Sequence, residues 1–514
     1  MNLIKNYSAL LLGILFIFSS CDNGSILKND VLTSIPKDVS MVTAVDLPSL
    51  LKKADFDNVK TMEFYQEVIK QANEYNSVLG DVVADPAKSG IDLSKSFYIA
   101  NEVSPDNPEE IFVGVVFSLK DAKAFSDVLN SQTEQNITKG DNFNLLVDRN
   151  QSVAWNDKIA VFGSTNSYND VTPIISKYFN TDESSSIAGD KDLQKCLSNN
   201  HDINSWMSSN AMADNENIKM FLPVINIDPE ALKDNFIHSY LDFNNGEIVG
   251  HTTTFINKGL TKDLKLLFKD EVDTDFSNYV SAKGLNTVIT AAIDLKGIKQ
   301  VIAERPQGMA FLNFALKEFG FSIDDIANTF GGDILISSNN NGGNPTGLFA
   351  TDIKDRANLQ KFIDLGIEYE MLEKIGDDHY AIKNYNFNTY SPTTYSNKEA
   401  QIIIKDDIIF ASFDADVINS IKDGSIENKV DKKLMKKVSG NILGVFMDFE
   451  ALTEMVKDDV DIKVSALEVA ANRKNSDVKL SFKDTNSNSL KQLFEMMNEL
   501  YLKENINTAD KTEI

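Results

Sequence analysis

What most limits how this chain can fold is that its first half returns in its second. The stretch "VTAVDLPSLL" at 42–51 reappears as "ITAAIDLKGI" at 289–298. Further matches follow in the same order. "EEIFVGVVFSLKDAKAFSDVL" answers to "TGLFATDIKDRANLQKFI", and "NDKIAVFGSTNSYNDVTPII" to "DDIIFASFDADVINSI". "GDKDLQKCLS" answers to "VDKKLMKKVS", sharing Asp190/Asp431, Leu193/Leu434 and Ser198/Ser439. Any one pair of amphipathic segments is weak, but a run of pairs in one order is not. The offset between copies wanders, as it does when loops vary while elements persist. The pattern reads as a duplicated large module and not as a short-period solenoid.

Within each copy, β-branched and apolar runs suggest strands. Most lead into segments with apolar residues three and four apart, which suggest helices. Turn-rich stretches at 101–110 and 337–347 occupy equivalent places and predict hairpins. Hairpins make neighbouring strands antiparallel. The expected fold is α+β: a tandem duplication of a module with a mainly antiparallel sheet and helices packed on one face. The expected spans are 34–275 and 276–505, with a polar tail at 506–514. Asp46, Asp294 and Asp448 each end an apolar run and begin a helical one, so each is expected to cap a helix N-terminus. Ser118 and Asp352, each followed three residues later by aspartate, are expected to cap the helices of the "FSLKDAKAFSDVL" and "TDIKDRANLQKFI" segments.

The chain opens "MNLIKNYSALLLGILFIFSSCDNG". Its apolar run, Ala9 to Phe18, is about half of the roughly 20 residues that cross a bilayer. With Lys5 before it and small residues after it, residues 1–20 read as a signal peptide. Cys21 follows directly, as in the lipobox of bacterial lipoproteins, where the thiol is acylated. Residues 22–33 then tether the body, and a flexible linker of that length spans about 20 Å. The body therefore stays near the membrane to which its N-terminal lipid holds it. The other cysteine, Cys196, has no partner for an intramolecular disulfide in the mature chain and is expected to be structural. The formal net charge of −26 repels phosphate backbones and argues against nucleic-acid binding.

Chemical motifs are scarce. The four histidines, His201, His238, His251 and His379, form no HExxH pair, and there is no P-loop and no GxSxG elbow. "DTDFSN" at 273–278 lacks the glycine a calcium loop requires. No metal or other cofactor is expected. Ser49 and Lys52 fit an SxxK spacing, and "KSG" stands at 88–90, too soon after it for a serine acylase; a helix surface explains the match. The strongest binding candidate is an insertion of the second copy, 378–400, which places Tyr380, Tyr385, Tyr390 and Tyr395 at even spacing among Asn, Ser and Thr. Tyrosine rings with polar tips suit sugar or peptide surfaces.

The mature chain resembles a Bacteroidota lipoprotein family known only as domain of unknown function 4836. The resemblance rests on the lipobox region, on "SIPKDVSMVTAVDLPSLLKKADF" at 34–56, and on the recurrence of the strand–Asp–helix step. It implies an envelope lipoprotein at the outer membrane and supplies no catalytic residues. The expectation is a non-enzymatic cell-envelope lipoprotein with a binding or structural role, its partner an envelope protein or glycan. The alternatives are a glycan- or peptide-binding accessory protein using the 378–400 insertion, and a hydrolase using paired carboxylates.

Overall fold

The computed structural model describes residues 30–510 except 104–109, 133–136, 141, 149, 167–170, 211–228, 304–315, 318–319, 342–343, 384–399 and 454–461. They form two compact units. Unit 1 holds the described residues before 211, Leu232–Phe255, and those from Phe482 onward; unit 2 holds the described residues 229–231 and Ile256–Ser481.

Unit 1 is built on strands β1 (Met41–Val45), β2 (Phe97–Val103), β3 (Ile111–Ser118), β4 (Thr138–Lys139), β5 (Asn144–Asp148), β6 (Gln151–Trp155), β7 (Ile159–Thr165), β8 (Ile203–Ser208), β9 (Phe236–Asn244) and β10 (Glu247–Phe255). They pair antiparallel in the order β4-β5-β6-β7-β3-β2-β1-β8-β9-β10. Its helices include α1 (Leu47–Ala54), α2 (Glu63–Tyr75), α3 (Ala122–Gln132), α4 (Thr172–Asn180) and α5 (Lys191–Leu197).

Unit 2 begins with helix α6 (Lys258–Leu267) and continues through β11 (Leu285–Ala292), α7 (Leu295–Ala303), β12 (Phe330–Asn341), β13 (Asn344–Ile353), α8 (Arg356–Glu368), β14 (Leu372–Gly376) and β15 (His379–Ile382). Then come β16 (Gln401–Lys405), β17 (Ile408–Ser412), α9 (Ala415–Asp423), α10 (Lys432–Ser439), β18 (Leu443–Asp448), β19 (Val464–Ala471) and β20 (Asn475–Phe482). The order is β14-β15-β16-β17-β13-β12-β11-β18-β19-β20. Strand for strand, this is the order of unit 1.

The helices do not lie on one face, as the sequence pattern suggested. Side chains alternate across a strand, so cores on both faces can be told apart by parity. In unit 1, Val42, Ala44, Tyr98, Ala100, Val116 and Trp206 pack with Ile175 and Tyr178 of α4 and with Leu193 and Cys196 of α5. From the opposite face Phe117, Trp155 and Ala160 pack with Phe125 of α3, and Phe97 meets Leu47 and Leu51 of α1. Unit 2 repeats the scheme. Leu335, Leu348, Ala350 and Phe410 meet Ile418 of α9 and Met435 of α10 on one face, and Ile353, Tyr380 and Ile404 meet Leu359 and Ile363 of α8 on the other. The signal was present in β1, where four of the five residues are buried in succession; a strand covered on both faces loses its alternation. Each fully buried Val, Leu or Phe contributes about 1.5–3 kcal/mol.

The last helix of each strand set belongs to the other unit. Helix α6 follows β10 directly but packs on α7 of unit 2. The C-terminal helix α11 (Ser489–Asp510) follows β20 but packs on α1 and α2 of unit 1. The α6–α7 contact is tight. A Cβ at Gly297 would stand 1.7 Å from the Leu266 carbonyl oxygen, so glycine is required there. In unit 1 the place of Gly297 is taken by Ser49, and Phe494 of α11 stacks on Phe64 of α2 at 6.3 Å. The packing units and the expected repeat spans thus divide the chain differently, since the chain passes between units at 231/232, 255/256 and 481/482.

Among the described residues, no helix is long and apolar enough to cross a membrane.

Candidate functional site

A cluster of titratable groups in unit 1 forms where α1, β8 and β9 meet. Asp46 accepts from the Ser49 amide at 3.1 Å and so caps α1. Its own amide donates to the Asp202 carbonyl oxygen at 2.8 Å, which brings the start of β8 against the helix. Asp202 is 2 % exposed, and its carboxylate is saturated. Oδ1 accepts from Ser49 Oγ at 2.6 Å and from Lys53 Nζ at 2.8 Å. Oδ2 accepts from Lys53 Nζ at 2.6 Å and from the Phe243 amide at 2.7 Å. A buried charge is tolerated when paired and hydrogen-bonded in this way. The lysine beside Ser49 is therefore Lys53, one residue beyond the SxxK spacing, and a carboxylate lies between the two.

The network continues through the backbone. The Asp202 amide donates to Asp242 Oδ1 at 3.1 Å, and His201 Nδ1 donates to Asp242 Oδ2 at 2.7 Å. The His201 ring stacks on Tyr240 at 3.6 Å, and Tyr240 stacks on His251 at 5.3 Å. His238 lies on the same strand face. Burial, followed by the proximity of His201, His251 and Lys195, lowers its pKa. Three of the four histidines thus gather in one place. Sequence spacing does not show this; only the antiparallel register that sets Tyr240 opposite His251 does. Among the described residues no group of three or more His, Cys, Asp or Glu side chains is arranged to hold a metal ion.

Unit 2 buries its charge elsewhere. Asp333, on β12 and 0 % exposed, accepts from the Thr274 amide at 2.8 Å and from Thr274 Oγ1 at 2.7 Å. Lys269 makes an ion pair with it. Burial alone would depress the Lys269 ammonium, but hydrogen bonding and attraction from Asp333 outweigh it, and its pKa is raised. The Asp333 amide donates to Asp352 Oδ1 at 2.9 Å, and Lys354 lies 3.3 Å from Asp352 Oδ2. Gly331 makes room for Asp352, since a Cβ there would come within 1.7 Å of Oδ2. The two carboxylates are neighbours, but each is neutralised by a lysine.

The other sequence candidates fall as follows. Asp294 accepts from the Gly297 amide at 2.9 Å, and Asp448 from the Glu450 and Ala451 amides at 2.9 and 3.1 Å. Ser118 and Asp352 do not cap helices. Both are buried strand residues, Ser118 the last of β3 and Asp352 the last but one of β13, and the helices start later, capped by Asp121 (Ala124 amide, 2.9 Å) and Asp355 (Ala357 amide, 2.9 Å). Cys196 is buried, which pushes its thiol up to about 12 and away from nucleophilic reactivity. Tyr380 is a core residue of β15, 2 % exposed, and not a binding surface. Tyr385, Tyr390, Tyr395 and Cys21 lie outside the described residues.

A sequence profile described as "Domain of unknown function (DUF4836)" matches residues 32–490. The chain belongs to the DUF4836 family. No curated protein matches this DUF4836 chain. Among solved structures, crystal form I of TP0453 is similar at 10% identity and a TM-score of 0.26, covering 48% of this chain and 90% of that one. Crystal form III matches at 13% identity and a TM-score of 0.25, covering 48% and 91%.

Proposed function

We propose that this protein is a lipid-anchored component of the bacterial cell envelope, built by duplication of one α+β module, with a binding or structural role and no chemistry of its own. The observation that carries the reading is how its buried charge is used. Asp202 and Asp333 each accept hydrogen bonds from backbone and hydroxyl donors and are neutralised by lysine. Such groups fix segments in place. A general acid or base instead needs a pKa poised near the working pH and a path to substrate. The ten strands recur in one order while these charged clusters do not, which fits a duplicated scaffold whose copies diverged. The apolar run before Cys21 supports the anchor, and the partner would be an envelope protein or glycan.

The anchor is tested by metabolic labelling with a fatty-acid analogue in a bacterium that processes the precursor. Label is expected on the mature protein and is lost in Cys21→Ser, which no longer partitions into detergent. An unlabelled wild-type chain would overturn the anchor.

A further inference from the structure

Unit 2 has a half-open pocket of about 50 Å³ on the face of β12 and β13 that α9 covers. Its floor includes Ser337 and Thr346, 2 % and 7 % exposed. Both residues carry a hydroxyl at the pocket lining. Beside them Asn339 is fixed, its Nδ2 donating to the Ser281 and Lys283 carbonyl oxygens at 2.8 and 3.0 Å, which leaves its Oδ1 as an acceptor. Leu348 and Val417 supply apolar surface, and the Tyr279 ring forms one wall. That ring is held rigidly, tilted on Phe410 at 4.7 Å with its hydroxyl donating to Asp406 Oδ2 at 2.7 Å.

Among the described residues, larger side chains occupy the corresponding strand positions of unit 1. Counting along the registers from the shared Asp46/Asp294 step, Glu102 and Phe112 stand where unit 2 has Ser337 and Leu348. Phe112 packs against Tyr178 at 6.0 Å and is wholly buried there, and Glu102 is paired with Lys177. The pocket of unit 2 therefore arises where a large ring and an ion pair give way to leucine and serine.

We propose that this pocket binds an uncharged acetamido-sized group, the N-acetyl substituent of an N-acetylhexosamine. Among the described residues no charged side chain lines it, so a charged group would be desolvated without compensation. The Ser337 and Thr346 hydroxyls can each donate and accept, which suits a ligand that can do both, as an amide does. The apolar wall suits its methyl. The space suits one small substituent, with the sugar ring left at the mouth beside Tyr279. The inference rests on the binding role proposed above and gives it a ligand class.

Saturation-transfer NMR on the full chain tests it, with N-acetylglucosamine, glucose and N-acetylalanine methylamide as probes. Saturation should reach the acetyl methyl of N-acetylglucosamine and not the protons of glucose. Leu348→Phe, which restores the ring found in unit 1, should abolish the signal. Thr346→Val, which keeps the shape and removes a hydroxyl, should weaken binding about fivefold. Thermal unfolding of both variants checks that they are folded. Equal signals from glucose, no signal at all, or a methyl signal that survives Leu348→Phe would overturn the proposal. A stronger response to the acetylated amino acid would assign the pocket to peptides and overturn the carbohydrate assignment. The Cys21 anchor is read by acyl labelling, so failure of the pocket and failure of the anchor are separate results.

Discussion

Units 1 and 2 thread ten strands in one order, but they differ in how each is completed. Unit 1 clamps the start of β8 to α1 through Asp202, Ser49 and Lys53. In unit 2 the equivalent helix carries Gly297, which lets α6 approach within backbone contact. Unit 2 instead places its buried carboxylate, Asp333, on β12, where it holds the segment after α6 through Thr274 and Lys269. Apolar packing and strand order are shared; the polar locks are not. The comparison teaches that this fold tolerates a buried charge in more than one place, provided each is fully paired locally.

The largest effect should come from removing one partner of a lock. Asp333→Ala leaves Lys269 without its main partner and Thr274 without its acceptor, and should cost about 3–5 kcal/mol. Asp202→Ala in unit 1 should cost less, about 1–3 kcal/mol, because Lys53 is 28% exposed against 18% for Lys269 and can turn to water. Urea unfolding followed by site-specific probes in each unit ranks the two. A reversed ranking would mean that the clamp of unit 1 carries more than its geometry indicates.

Next in size is the helix contact. Gly297→Ala drives a methyl into the Leu266 carbonyl and should cost about 1–3 kcal/mol through forced separation of α6 and α7. Ser49→Ala, at the matching place, removes one hydrogen bond to Asp202 and should cost about 1 kcal/mol. Equal effects in thermal unfolding would show that the two helix pairs are closer in geometry than the glycine implies.

The smallest effect sharpens the role of Asp46. Burial, offset in part by the Ser49 amide and reinforced by Asp202, raises its pKa from the ordinary value of 3.8. The folded state therefore binds this proton more tightly than the unfolded chain does. The stability contributed is greatest below pH 3.8 and is lost as pH rises through the folded pKa. Asp46→Asn keeps a good cap without the charge. It should match or slightly exceed the wild type at pH 7 and lose this part of the pH dependence, whereas Asp46→Ala should cost about 1 kcal/mol. Equal losses in both variants would assign the role of Asp46 to its charge.

Much of this comparison is legible in the amino-acid sequence. The recurring strand–Asp–helix step located α1 and α7 and their caps, because aspartate at a helix start has a local cause. The helices after β3 and β13 are capped about one turn later than the sequence pattern places them, because β3 and β13 pair on to Ser118 and Ile353 before the chain turns. Helices on both faces are not legible in sequence, because a fully buried strand resembles any apolar run. The gathering of His201, His238 and His251, the Asp202 and Asp333 locks, and the Ser337–Thr346 pocket depend on residues far apart in sequence, which register alone brings together. The exchange of α6 and α11 was also hidden, since an amphipathic helix does not state which sheet it will cover.

That exchange makes the central claim most open to test. The last helix of the chain supports the first helices of unit 1, through Phe494 on Phe64 and through Asn498 Oδ1, which accepts from the Phe64 amide at 3.1 Å. Hydrogen–deuterium exchange on full-length Phe494→Ala reads this directly. Faster exchange across α1 and α2, with α7 and the strands β11–β18 unchanged, is the result predicted. A rise confined to unit 2, with residues 47–75 unaffected, would contradict the exchange and the account built on it.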